Sequence, residues 1–168
     1  EVASALEYLH GQLPPIVHGN LCARNILIDD KGNALLSGFS LSHIDYEEPL
    51  KGAIIVEGGQ FRYLAPEVHL FDSEKSFHTT PASDCYAFAM TILGLATLDK
   101  PFAEYQNEYA AANAAGKNQR PQRPLRESFG ALDEAIVDML WILLTEMWAH
   151  NPADRPSMRV VVSRLIAL

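Results

Sequence analysis

Apolar positions in the first ten residues recur with a helical period: Val2, Ala5, Leu6 and Leu9 fall on one face of Glu1 to His10. This predicts an amphipathic helix. Gly11 suits the left-handed position beyond a last turn, and Pro14-Pro15 blocks resumption, so the helix is expected to stop there. Two apolar triplets follow, Ile26-Leu27-Ile28 and Ala34-Leu35-Leu36, with the turn-forming run Asp29-Asp30-Lys31-Gly32-Asn33 between them. Residues 26–36 are expected to form a hairpin, the one β element the pattern predicts. From Ser37 to Tyr63 no period is sustained, and Gly38, Pro49, Gly52, Gly58 and Gly59 interrupt it. A long, partly mobile loop is expected, of a length that usually carries function.

The remainder reads as helical. Ser83 to Thr97 is nearly all apolar, and Thr79-Thr80-Pro81 supplies capping hydroxyls and a first-turn proline. A helix apolar on every side belongs at the centre of a fold. Its apolar run, Tyr86 to Leu98, is shorter than the ~20 residues a membrane-spanning helix needs, so no membrane span is expected. Glu104 to Ala115, Leu132 to Trp148 and Ser157 to Leu168 predict three more helices, with a proline-broken loop over Asn118 to Pro124. The pattern as a whole predicts one mainly α domain, and 168 residues with 48% hydrophobic content can bury its core.

Charge and cysteine content narrow the function classes. A formal net charge of -8 without a basic stripe excludes the electrostatic footprint of a nucleic-acid binder. Cys22 and Cys85 stand far apart in no metal-ligand spacing, which predicts unpaired thiols, a reducing compartment and a cytoplasmic protein. The opening directly on a helix reads as a chain that starts inside a fold.

Candidate chemistry lies in His18-Gly19-Asn20-Leu21-Cys22-Ala23-Arg24-Asn25, a polar loop that contains no acid. Helix, loop, hairpin and long loop are followed by Ala65-Pro66-Glu67, then Ser83-Asp84-Cys85-Tyr86-Ala87-Phe88, then Trp148 with Asn151-Pro152-Ala153-Asp154-Arg155-Pro156. In this order the chain resembles the C-terminal lobe of a eukaryotic protein kinase, of the tyrosine-kinase-like or tyrosine kinase group, in a pseudokinase variant. The resemblance covers nearly the whole chain and implies a catalytic-like loop over 16–25, the hairpin over 26–36, an activation-like loop over 37–64 and a helical subdomain over 65–168. The N-terminal lobe is absent from the sequence, which holds neither a Gly-rich GxGxxG loop nor a Val-Ala-Ile-Lys strand.

Set against the family's His-Arg-Asp-Leu loop, His18 and Asn25 match, but Gly19 replaces the arginine and Asn20 the catalytic aspartate. An amide is not a base. A general base contributes roughly 10²- to 10⁴-fold in rate, or about 3 to 5 kcal/mol of barrier. Gly38 stands where the Asp-Phe-Gly motif places its metal-binding aspartate, and glycine offers no carboxylate to Mg²⁺. The resemblance leaves Asn25 on the metal side and implies Leu27 as the floor beneath an adenine. Asp29 and Asp45 could replace the lost oxygen only at near-contact geometry, and neither is expected to do so. ATP and Mg²⁺ are implied by the family alone, and no cofactor is expected for this chain by itself.

The remaining matches are implied to be structural. The resemblance implies that Asp84 anchors the catalytic-like loop, that His18 and Phe39 stack through the core, and that Glu67 and Arg155 form a buried ion pair. Read singly, His18 is a hydrogen-bonded core histidine, Asn25 a turn residue, Arg155 a solvated loop charge and Cys22 inert packing. Gly19 cannot pair with a phosphate, so ordering of the loop through phosphorylated Ser40, Ser42, Tyr46 or Tyr63 is expected to be absent. The expected function is that of an inactive pseudokinase serving as a protein-binding, scaffold or regulatory module with protein partners of unknown identity. The alternatives are a degenerate but active protein kinase in full-length context and a structural remnant.

Overall fold

The computed structural model describes residues 1–45, 60–68 and 79–168. Among them, helix α1 runs over Val2–His10 and buries Val2, Ala3 and Leu6. It ends at Gly11 as its sequence suggests, but Gly11 adopts φ -81° and ψ -5°, right-handed and not left-handed. The stop comes from the prolines that follow, since Gly11 still donates its N–H to Glu7 O.

The hairpin forms in the expected place, with β2 (Ile26–Ile28) antiparallel to β3 (Ala34–Leu36) and Leu27 paired with Leu35. Its turn is built by Asp29, whose Oδ1 accepts from the N–H groups of Lys31 and Asn33 while Oδ2 accepts from Asn33 Nδ2. Those bonds, the Asn33 side chain foremost, hold the Asp29 carboxyl below its ordinary range. A second antiparallel pair was not expected: β1 (Ile16–Val17) against β4 (His43–Ile44). It clamps the two ends of the segment that holds the catalytic-like loop and the hairpin. Residues 37–45 of the expected long loop are therefore structured in part; Tyr46 and residues 47–59 lie outside the described residues.

Helix α2 (Pro81–Thr97) is the centre of the fold. Thr80 and Ser83 cap it reciprocally, Pro81 opens it, and eleven of its residues from Ser83 to Gly94 are buried. It starts two residues before the apolar run because the cap fixes the first turn. Around it, α1 packs on α5 (Met158–Ile166), and α4 (Glu134–Met147) packs on both α2 and α5. Helix α3 (Glu108–Gly116) begins four residues later than its apolar period suggests, because Asn107 takes the N-cap and accepts from Ala110 N–H. Trp141 and Trp148 meet edge to face at 5.3 Å in this core.

Candidate functional site

Asp84 organises the site from the first turn of α2. It is buried, its Oδ2 accepts the His18 N–H at 2.7 Å, and its Oδ1 accepts the Gly19 N–H at 2.9 Å. His10, at the end of α1, adds a third donor to the same carboxylate at 2.9 Å. Three donors satisfy a buried carboxylate that would otherwise be costly to desolvate. The loop backbone is thus fixed from the helix beneath it. The helical period of α1 shows nothing of His10, which the sequence reading missed.

His18 is fully buried and both ring nitrogens are engaged. Nε2 faces the Ser37 carbonyl at 2.8 Å and so carries the hydrogen, while Nδ1 accepts the Asn20 N–H at 3.2 Å. This ring is a joint between two loops. Phe39 meets it edge to face at 5.0 Å, yet remains 46% exposed, so the implied stack exists without being closed into the core. Gly19 sits at φ +74°, where an added Cβ would stand 2.9 Å from Leu41 O and 3.2 Å from Thr79 Oγ1. An arginine at this place requires a different backbone.

The two positions on the implied metal side lie against each other. Asn25 donates its Nδ2 to Asn20 O at 2.6 Å. Gly38 is at φ +78°, and a Cβ added there would stand 2.3 Å from Asn25 Cγ and 2.5 Å from its Nδ2 and Oδ1. The Asn25 carboxamide fills the volume that a side chain at residue 38 would need. Asp29 is committed to its turn, and no group of three or more His, Cys, Asp or Glu side chains suited to a metal occurs among the described residues. The residues present do not fit a magnesium ion. Leu27, the implied adenine floor, lies on β2 with 53% of its surface exposed.

Glu67 and Arg155 form a two-pronged ion pair, with Nη1 to Oε1 at 2.6 Å and Nη2 to Oε2 at 2.8 Å. The guanidinium is wholly buried and also donates to the carbonyls of Ala149 and Ala82. The ion pair that the resemblance implies for Glu67 and Arg155 is present, and the alternative of a solvated loop charge at Arg155 does not apply. Sequence reasoning also missed Arg62, which looks like a loop charge but is buried. It donates to Glu108 Oε1 at 2.7 Å and to the carbonyls of Pro101, Phe102 and Tyr105. These bonds hold Phe102 at φ +57°, a strained conformation for a residue with a side chain.

Burial decides the titration of the remaining groups. It pushes the Cys85 thiol up to about 12 and raises Cys22 as well, so neither thiol is an activated nucleophile. Tyr86, with Arg155 and Arg120 over its ring at 5.1 and 5.6 Å, is also pushed up to about 12 because burial outweighs the two cations. The stability tied to the raised Cys85 and Tyr86 values is fully present below their unfolded values near 9 and 10, and is lost as pH rises towards 12. Urea unfolding midpoints are therefore expected to fall between about pH 9 and 12, and Tyr86→Phe to flatten the part of the fall above about pH 10. At neutral pH Tyr86→Phe is expected to be neutral or stabilising, because the Tyr86 hydroxyl has no hydrogen-bond partner among the described residues. A midpoint independent of alkaline pH, or a marked loss of stability in Tyr86→Phe at pH 7, would contradict this.

Comparison with known proteins agrees with this arrangement. A family model described as protein tyrosine and serine/threonine kinase matches residues 1–165. Serine/threonine-protein kinase 12 of Arabidopsis thaliana is 33% identical over 98% of this chain and 33% of its own length. Dual specificity protein kinase splA of Dictyostelium discoideum is 31% identical over 98% of this chain and 7% of its own. Stress-activated protein kinase alpha of the same organism is 30% identical over the full chain and 26% of its own. The chain thus spans a third or less of the length of these relatives. With a match over residues 1–165 and the loop, ion pair and hairpin in the order described, the chain belongs to the protein tyrosine and serine/threonine kinase family.

Proposed function

We propose that this chain is the C-terminal lobe of a kinase-family domain that has lost phosphoryl transfer and serves as a protein-binding or regulatory module. The observation that carries the reading is the contact between Asn25 and Gly38: the family's metal-binding acid is missing, and its volume is taken by the neighbouring carboxamide. Asn20, at the position of the base, has its backbone carbonyl bonded to that same carboxamide, and its own side chain is an amide and not a carboxylate. The anchoring bonds of Asp84 and the Glu67–Arg155 pair, by contrast, are complete. The exposed apolar side chains Ile28, Leu35, Phe39 and Ile44 lie on and beside the hairpin, together with Leu27, the implied adenine floor. No helix among the described residues is long and apolar enough to cross a membrane, and the two buried free thiols support a reducing, cytoplasmic setting.

Titration of the full-length protein with ATP, with Mg²⁺ and then with a chelator in its place, tests the metal side. The expected result is that Mg²⁺ leaves nucleotide affinity unchanged, since no carboxylate stands at residue 38 to hold the ion on the phosphates. Affinity that rises with Mg²⁺ and falls on Asn25→Ala would favour the active-kinase alternative.

A further inference from the structure

Away from the catalytic-like loop, a cavity of about 630 Å³ opens where the end of α1 and the first turns of α2 and α5 meet. Its volume lies within the ~300–1,000 Å³ of small-molecule sites. Pro81, Ala82, Pro156 and Met158 give it apolar walls. Glu7 and Arg159 line it from α1 and α5, and neither side chain has a hydrogen bond or ion pair among the described residues. His10 also lines it; its side chain is only 10% exposed, Nε2 is held by Asp84, and Nδ1 has no partner among the described residues. Beside Arg159, α5 opens at Met158 without a side-chain cap from Ser157, so its first-turn N–H groups add positive potential at the same place.

The geometry points to a binding site for a small monocarboxylate with a compact apolar body. The carboxylate is received by Arg159 and the first-turn N–H groups of α5, and the body lies against the two prolines, Ala82 and Met158. Glu7 sets the charge of the ligand: one carboxylate on the wall is offset by Arg159 for a monoanion but repels a phosphate dianion. His10 ties the cavity to the catalytic-like loop, since its partner Asp84 holds the His18 and Gly19 N–H groups. The site is independent of whether the protein transfers phosphate.

Calorimetric titration of the full-length protein with hydrocinnamate, and with hydrocinnamide and phenyl phosphate as the neutral and dianionic comparators, tests the assignment. Hydrocinnamate is expected to bind with a Kd at or below about 1 mM, and both comparators at least about tenfold more weakly. Arg159→Gln, an exposed substitution, is expected to weaken hydrocinnamate at least about tenfold at an unchanged thermal midpoint, and Glu7→Gln to admit phenyl phosphate. Binding of the amide or the phosphate as tight as that of the carboxylate overturns the proposal. So does wild-type affinity in Arg159→Gln, or no heat of binding at about 10 mM hydrocinnamate.

Discussion

Arg155→Met is expected to destabilise the protein by about 3 kcal/mol, towards the lower end of the roughly 3 to 5 kcal/mol for breaking a buried ion pair. The guanidinium is fully buried, whereas Glu67 keeps 25% of its side chain in contact with solvent, which softens the cost of leaving that carboxylate alone. Two backbone carbonyls, of Ala149 and Ala82, lose a donor in the same substitution. Glu67→Gln keeps a hydrogen-bonding partner and should cost less. Urea unfolding of the three proteins measures the series. A loss below about 0.5 kcal/mol in Arg155→Met is the value for a surface charge and would contradict the described packing.

Gly38→Ala carries the second large effect, about 2 to 5 kcal/mol, from a side chain at positive φ together with overpacking against Asn25. The two parts are separable. Asn25→Ala in the same chain removes the atoms that stand 2.3 to 2.5 Å from the new Cβ, so the double variant should be more stable than the sum of the single losses by at least about 1 kcal/mol. Strict additivity would mean that the Asn25 carboxamide does not occupy this space. The backbone strain at φ +78° should persist in both backgrounds.

Local signals were legible where one segment contains its own partner. The 26–36 hairpin has turn residues between two apolar triplets, and Asp29 closes that turn on Lys31 and Asn33. Helix α2 has its cap and its proline in sequence before the apolar run. The β1–β4 pair was illegible because two residues on each side, 26 positions apart at the Val17–His43 pairing, carry no alternation to read. His10 and Arg62 were missed for a related reason: a polar residue's burial depends on partners distant in sequence, Asp84 for one and the 101–108 segment for the other. At the site, the sequence displayed the missing acids at residues 20 and 38. That Asn25 closes over Gly38 is a fact of packing which residue identity does not carry.

Transfer of the γ-phosphate of ATP by the full-length protein in Mg²⁺, compared with Asn20→Ala and Asn25→Ala, tests the central claim most directly. The account predicts incorporation at the level of a no-protein control in all three, because no carboxylate stands at residues 20 or 38. Phosphoryl transfer by the wild-type protein that is lost on Asn20→Ala or Asn25→Ala would place working chemistry in this loop and contradict it.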